Sequence, residues 1–129
     1  MKKLLALLVT TAVAVSAFAA SEFADISVKD VDAAAASKSA VIIDANGTKS
    51  YNAGHVPTAL NYDAIKDNLA ASLPADKNAL IIAYCGNPGC GAYLQAAKAV
   101  QKLGYTNTKH MPAGIDGWNE AKMPTETAK

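Results

Sequence analysis

The chain contains no arginine, so all 12 of its basic residues are lysines. A guanidinium group recognises phosphate or carboxylate through two parallel N–H donors, and no side chain of this protein offers that geometry. The absence excludes a phosphatase loop of the Cys-x5-Arg type, in which an arginine holds the phosphate. The positive charge for an anion site would then come from lysine or from backbone dipoles.

A strong charge of either sign is also missing, since 12 basic residues face 11 acidic ones. Without the two lysines of residues 1–19, ten lysines face the 11 acidic residues and the net charge becomes −1. The basic residues form no run or stripe. We therefore expect no nucleic-acid partner.

Cysteine and histidine are scarce, with two of each in the chain. Cys85 and Cys90 are separated by four residues, and His55 and His110 lie far apart in sequence. Structural zinc sites usually combine closely spaced ligand pairs such as Cys-x2-Cys and His-x3-His. The sequence therefore favours no bound metal.

One long apolar run lies at the amino end, at residues 4–15, after Lys2 and Lys3 and before Ala-Phe-Ala at 17–19. A charged start, an apolar centre and a small-x-small site are the three parts of a secretory signal peptide. The run is short for a membrane span, and no stop-transfer pattern follows it. We expect residues 1–19 to be a signal peptide and the mature protein to be periplasmic or secreted, without membrane attachment.

Short apolar runs alternate with helix-like segments through the remaining chain, which at about 110 residues suits one domain. Strands are predicted at 40–44, 59–62, 79–84 and 107–111, with a short edge strand before residue 26. Helices are predicted at 26–36, 49–53, 63–73 and 92–103, and a turn at 112–114 is followed by a short helical segment that ends near residue 122. The alternation predicts an α/β fold, a mostly parallel sheet with helices on both faces, over residues 20–123, and then a flexible tail at 124–129.

Residues 81–91 carry the clearest chemical signal, because an apolar strand stops at Cys85 and a glycine-rich loop leads into a helix. Open α/β sheets place their ligand sites at such strand ends. Gly86, Gly89 and Gly91 can adopt positive φ and turn amides inward, and the helix start adds further N–H donors. A thiol there ionises readily, so Cys85 is the candidate nucleophile. The amides expected to bind an anion belong to Gly86, Asn87, Gly89, Cys90 and Gly91.

The order of motifs resembles the rhodanese homology domain, which is a sulfurtransferase family. The matching segments are ISVKDV at 26–31, VIID at 41–44, YNAGHVPTALN at 51–61, the loop after Tyr84 with its helix ending LGY at 103–105, and GIDGW at 114–118. Together they span nearly all of the chain after the expected signal peptide. Gly-His-Val-Pro-x-Ala and the cysteine loop are specific as a pair.

The resemblance implies a sheet of five strands and makes Cys85 the residue that carries a persulfide. Sulfur would move from a polysulfide, persulfide or thiosulfate donor to a thiol or cyanide acceptor, without a metal or organic cofactor. His55 would be a structural turn residue. Ala45, Gly86 and Cys90 stand in neighbourhoods where the family often has arginine, so we expect weak thiosulfate binding.

Two functions are compatible with these residues. In the first, Cys85 transfers sulfur and Cys90 is a candidate resolving thiol that closes a disulfide. In the second, a permanent disulfide between Cys85 and Cys90 belongs to a non-catalytic or redox module that binds a partner, and export to an oxidising compartment favours this arrangement. The sequence does not indicate an oligomeric state.

Overall fold

The computed structural model describes residues 22–129, and the expected signal peptide at 1–19 lies outside the described residues. Within residues 22–129, five short strands form one sheet: β1 (Ala24–Asp25), β2 (Val41–Asp44), β3 (Leu60–Asn61), β4 (Ile81–Tyr84) and β5 (Thr108–His110). The strand order is β1-β5-β4-β2-β3, and every pairing is parallel. The predicted α/β fold with a five-stranded parallel sheet is therefore confirmed.

In the described part of the chain, five α-helices connect or follow the strands: α1 (Val28–Ser37), α2 (Thr48–Ala53), α3 (Tyr62–Ile65), α4 (Tyr93–Lys102) and α5 (Gly114–Glu120). Helix α1 begins after Ser27, whose Oγ accepts a hydrogen bond from the Asp30 amide at 3.1 Å, as an N-cap does. Within residues 22–129, no helix has the length and apolar content needed to cross a bilayer.

Alternate residues of the central strands face two separate hydrophobic clusters. On one face Ile42, Ile82 and Tyr84 pack with residues of α1 and α5, among them Trp118. On the other face Ile43, Ile81 and Ala83 pack with Ala96, Ala97 and Val100 of α4. Helices cover both faces, which explains why β4 is buried along its whole length.

The connections from β2 and β4 leave in opposite directions. Strand β2 continues to β3 at one edge of the sheet, whereas β4 continues through α4 to β5 on the other side. Asp44 and Tyr84, the last residues of these neighbouring strands, are register partners. A crevice outside the carboxyl ends of two such strands is the usual ligand position in an open α/β sheet.

The prediction of a single helix over 63–73 was wrong. Helix α3 stops at Ile65 and a 3-10 helix follows over Lys66–Ser72, with non-helical dihedral angles at Asn68 (φ −140°, ψ 47°). Asparagine competes with helical hydrogen bonds through its side chain, and Pro74 holds Leu73 in extended backbone. Ile65, Leu69 and Leu73 are spaced four residues apart and pack on one hydrophobic cluster, but this spacing does not reveal the break.

Residues 124–129, which we expected to form a flexible tail, lie against the segment around α2. Glu126 and His55 exchange two backbone hydrogen bonds, of 2.9 and 3.0 Å, and the Ala128 amide donates to the Asn52 carbonyl at 3.1 Å. Trp118 Nε1 donates to the Pro124 carbonyl at 2.7 Å. The segment thus packs on the domain instead of projecting from it.

Candidate active site

Cys85 directly follows β4, at the carboxyl edge of the sheet where the connections of β2 and β4 diverge. Its side chain is only 1% exposed. Because side chains alternate along a strand, Cys85 continues the face of Ile81 and Ala83, against which α4 packs. Cys85 therefore lies at the strand end where the sequence predicted the site, with its side chain buried.

Cys85 and Cys90 are joined by a disulfide, with their Cα atoms 6.3 Å apart. That separation lies within the range of about 4.4–6.8 Å usual for disulfides. The two residues differ in exposure, since Cys85 is buried whereas Cys90 is partly exposed and lies between exposed Gly89 and Gly91. Of the two oxidation states compatible with the sequence, the structure contains the oxidised one.

The loop between the cysteines is organised by Asn87. Its carbonyl accepts a hydrogen bond from the Cys90 amide at 3.0 Å, and its Oδ1 accepts one from the Gly89 amide at 3.0 Å. Pro88 occupies the second position of this tight turn, where its fixed φ is favourable. Two of the five amides expected to bind an anion are therefore engaged within the loop when the disulfide is present.

The loop glycines do not adopt the backbone conformation that we expected. Among the described residues, positive φ at glycine occurs at Gly47, Gly104 and Gly114. The expectation of positive φ at Gly86, Gly89 and Gly91 was therefore wrong. The turn that begins at Asn87 and Pro88 is of a type in which no residue needs positive φ, so the loop glycines have no reason to adopt it.

Helix α5 holds the start of the cysteine loop through two backbone hydrogen bonds. The Ile115 amide donates to the Cys85 carbonyl at 2.9 Å, and the Asp116 amide donates to the Gly86 carbonyl at 3.0 Å. Gly114 has φ of +63°, and a Cβ at this position would overlap the backbone of Gly86. We did not assign Gly114 a role from the sequence. A glycine at the start of a short helix was the available signal, because glycine permits close backbone approach.

A buried hydrogen-bonded group lies beside the site, at the ends of β2 and β4. Tyr84 donates its hydroxyl hydrogen to Asp44 Oδ2 at 2.6 Å and accepts a hydrogen bond from the Val56 amide at 3.1 Å. Asp44 Oδ1 accepts a hydrogen bond from the Asn46 amide at 2.7 Å, so the carboxylate also holds the loop that follows β2. Burial, reinforced by the Asp44 charge, raises the pKa of Tyr84, so this hydroxyl remains a donor.

His110 ends β5 on the same sheet face as Cys85, because its register partner on β4 is Ala83. The imidazole stacks on the Tyr93 ring at the start of α4, with ring centroids 3.4 Å apart and planes 5° apart. Nε2 is buried without a hydrogen-bond partner among the described residues. Burial lowers the pKa of His110, although the Asp25 carboxylate on β1 acts in the opposite direction. The ring is therefore neutral near pH 7.

His55 has the structural role that the sequence predicted. Its Nδ1 lies 2.7 Å from the Tyr51 carbonyl, to which it donates, and its ring stacks on Tyr51 with centroids 3.7 Å apart. His55 Nε2 lies 3.8 Å from a carboxylate oxygen of Glu126. These contacts fix the turn between α2 and β3.

Within residues 22–129, no group of three or more histidine, cysteine, aspartate or glutamate side chains is arranged to hold a metal ion. Both cysteines are already bonded to each other. The groups that form the site are the two sulfur atoms, the backbone amides of the loop and the neighbouring rings.

The family model for the rhodanese-like domain matches residues 27–121. The chain belongs to the rhodanese-like domain family. A rhodanese-related protein from Thermoplasma volcanium has a similar fold, with a TM-score of 0.63 at 15% identity over 82% of this chain and 100% of that one. A Bacillus halodurans protein gives a TM-score of 0.65 at 22% identity, over 81% of this chain and 77% of that one.

A thiosulfate sulfurtransferase from Pseudomonas aeruginosa is also similar to this rhodanese-like domain. The TM-score is 0.64 at 21% identity, and the match covers 83% of this chain but 21% of that one. At such identities the likeness shows a shared fold. It does not by itself transfer the activity of that enzyme.

Proposed function

We propose that this rhodanese-like domain is a sulfurtransferase that moves a sulfane sulfur from a donor to a thiophilic acceptor through a persulfide on Cys85. The observation that carries the proposal is the position of Cys85 after the central strand, at the crevice between β2 and β4. We expect the loop amides that are not bonded to Asn87, together with the start of α4, to stabilise negative charge on Cys85. Membership of the rhodanese-like family supports the same chemistry.

The reaction consists of two displacements at sulfur. The Cys85 thiolate attacks the outer sulfur of the donor. The bond between that sulfur and the rest of the donor breaks, and the rest of the donor leaves with the electron pair. An acceptor thiolate then attacks the terminal sulfur of the persulfide, and the Cys85 thiolate is regenerated. The disulfide must be reduced first, because Cys85 is bonded to Cys90 in the oxidised form.

Polysulfides or persulfides are the donors that we propose, in preference to thiosulfate. The chain has no arginine to hold a dianion. A cavity beside the loop is lined by Asn87 and Pro88 and by two acidic residues of α5, Asp116 and Glu120. The two carboxylates disfavour a doubly negative donor relative to a less charged one.

Cys90 is proposed as the resolving thiol of the same cycle. Its thiolate attacks Cys85 Sγ of the persulfide, the disulfide forms, and the terminal sulfur leaves as hydrosulfide. A dithiol reductant then restores both thiols. The Cα separation of 6.3 Å in the oxidised form shows that the loop accommodates this bond.

A second candidate function is a redox or partner-binding module that carries the disulfide without sulfur transfer. The disulfide itself favours it, because structural disulfides persist in oxidising compartments. Such a compartment agrees with the expected signal peptide at 1–19 and with a periplasmic or secreted location, which we also propose. N-terminal sequencing of the mature protein tests that location, since an intact Met1 would contradict cleavage.

Replacing the nucleophile separates the two candidate functions. We expect Cys85→Ser to lose sulfur transfer from polysulfide by several orders of magnitude, because no other thiolate occupies its position. After reduction and incubation with polysulfide, the intact mass of the protein should rise by about 32 Da, one sulfur, at Cys85. Transfer at the wild-type rate in Cys85→Ser would remove Cys85 as the sulfur carrier.

Cys90→Ser is the matched control, since it also removes the disulfide but keeps Cys85. We expect this variant to accumulate the persulfide, whereas the wild type returns to the disulfide unless a dithiol is supplied. An unchanged persulfide lifetime in Cys90→Ser would contradict the resolving role. Absence of the added sulfur in both the wild type and Cys90→Ser would favour the redox module.

A further inference from the structure

The two sulfurs of the disulfide are unequally open to a reagent from solution. The Cys85 side chain is 1% exposed, and its carbonyl is bound by the Ile115 amide of α5. Cys90 is partly exposed, and both of its neighbours, Gly89 and Gly91, are exposed. A molecule arriving from solvent therefore meets Cys90 first.

The geometry of thiol–disulfide exchange makes the exposure of each cysteine decide which sulfur is attacked. A thiolate forms its new bond to one sulfur from the side opposite the other sulfur, because the original bond breaks as the new one forms. Cys85 is 1% exposed, so a reagent from solution has almost no access to it. Cys90 is partly exposed and lies between two exposed glycines, so a reagent can approach it from solvent. Access to the attacked sulfur is one of the factors that set the rate of exchange.

We propose that small thiolates from solution open this disulfide at Cys90. The thiolate attacks Cys90 Sγ, the bond between the two Sγ atoms breaks, and Cys85 leaves as a thiolate with the electron pair. The products are a mixed disulfide on Cys90 and a free Cys85 thiolate, and the proton of the attacking thiol passes to solvent before the attack. The disulfide is the oxidant and the incoming thiol is the reductant, so the step balances. The inference goes beyond the proposed sulfur transfer and depends only on the disulfide.

This order of events determines which cysteine is released first. Opening at Cys90 frees Cys85, the residue that sulfur transfer would require as a nucleophile, while Cys90 remains capped by the reductant. A capped Cys90 has no thiolate with which to attack a persulfide on Cys85. A monothiol would therefore produce the nucleophile before it produces the resolving thiol.

Limited reaction of the oxidised protein with 2-mercaptoethanol tests the proposal. The reaction is stopped at short times with acid and N-ethylmaleimide, and the peptide between Lys77 and Lys98, which holds both cysteines, is sequenced by fragmentation in a mass spectrometer. We expect the mercaptoethanol adduct on Cys90 and the maleimide on Cys85 to exceed the reverse arrangement by about tenfold or more, or about 1.4 kcal/mol in activation free energy. Equal amounts, or an excess of the adduct on Cys85, would overturn the proposal.

The same oxidised protein, unfolded in guanidinium chloride, is the control. We expect the preference to disappear there, because burial of Cys85 exists only in the fold. A preference for Cys90 that persists in denaturant would also contradict the proposal, since it would reflect local sequence and not access. No sulfane sulfur donor is present, so these outcomes are independent of whether Cys85 carries a persulfide.

Discussion

His110 is a buried side chain whose protonation should make the stability of the fold depend on pH. The ring is 5% exposed, stacks on Tyr93, and leaves Nε2 without a partner among the described residues. Asp25 is the register partner of His110 on β1, and its carboxylate favours the protonated ring, but burial has the larger effect and lowers the pKa. A proton on His110 therefore opposes folding.

The free energy of unfolding should consequently fall as pH is lowered below about 6.5, the ordinary histidine pKa. Above that pH the ring is neutral in both states and the stability is fully present. Below it the unfolded chain binds a proton that the folded chain resists, with a slope that for one group cannot exceed about 1.4 kcal/mol per pH unit. His110→Phe keeps an aromatic ring against Tyr93 and should flatten this dependence in urea denaturation measured between about pH 5 and 8. The same slope in the wild type and the variant would contradict the assignment.

At the scale of elements, the contact between α5 and the cysteine loop determines the site geometry. Two consecutive amides of α5, from Ile115 and Asp116, bind the carbonyls of Cys85 and Gly86. The contact requires glycine at position 114, where φ is +63° and the loop backbone leaves no space for a Cβ. A short helix thus fixes a loop that lies almost 30 residues earlier in the chain.

Gly114→Ala should therefore lower the free energy of unfolding by about 1–3 kcal/mol, through positive φ and overpacking. It should also slow the formation of the Cys85 persulfide, because the loop must shift. Gly91→Ala, just after Cys90, is the control, since a Cβ there has no atom within 4 Å and the φ of Gly91 is not positive. We expect the control to stay within about 0.5 kcal/mol of the wild type in chemical denaturation. Equal stability and persulfide rate in both variants would contradict the role given to α5.

The same elements show what sequence reasoning can and cannot reach. Short apolar runs mark buried segments, so they located the central strands and the position of Cys85, and the 3.6-residue period located the helices. The break at Asn68 and the turn at Asn87 depend on competing side-chain hydrogen bonds, which periodicity does not report. The contact of Gly114 with Gly86 depends on packing between distant segments. The oxidation state of the cysteines depends on their surroundings and had to be left open.

At the scale of the whole molecule, the proposed cycle requires one fold that tolerates two oxidation states. The two hydrophobic clusters lie on opposite faces of the sheet and, among the described residues, include neither cysteine. Strand β4 is held by β2 on one side and β5 on the other. We therefore expect the core to persist when the bond between Cys85 and Cys90 is broken.

Reduction should accordingly destabilise the domain without unfolding it. The disulfide joins residues five positions apart, and closure of so small a ring contributes only about 2 kcal/mol through chain entropy. For a domain of this size we expect the midpoint of thermal unfolding to fall by roughly 5–10 °C in the presence of a phosphine reductant. Cys90→Ser without reductant should give a similar midpoint, because it removes the same ring and retains Cys85. Circular dichroism during heating measures both midpoints. A reduced protein without a cooperative transition would show that the disulfide is required for folding. The domain could then not pass through a dithiol state during turnover.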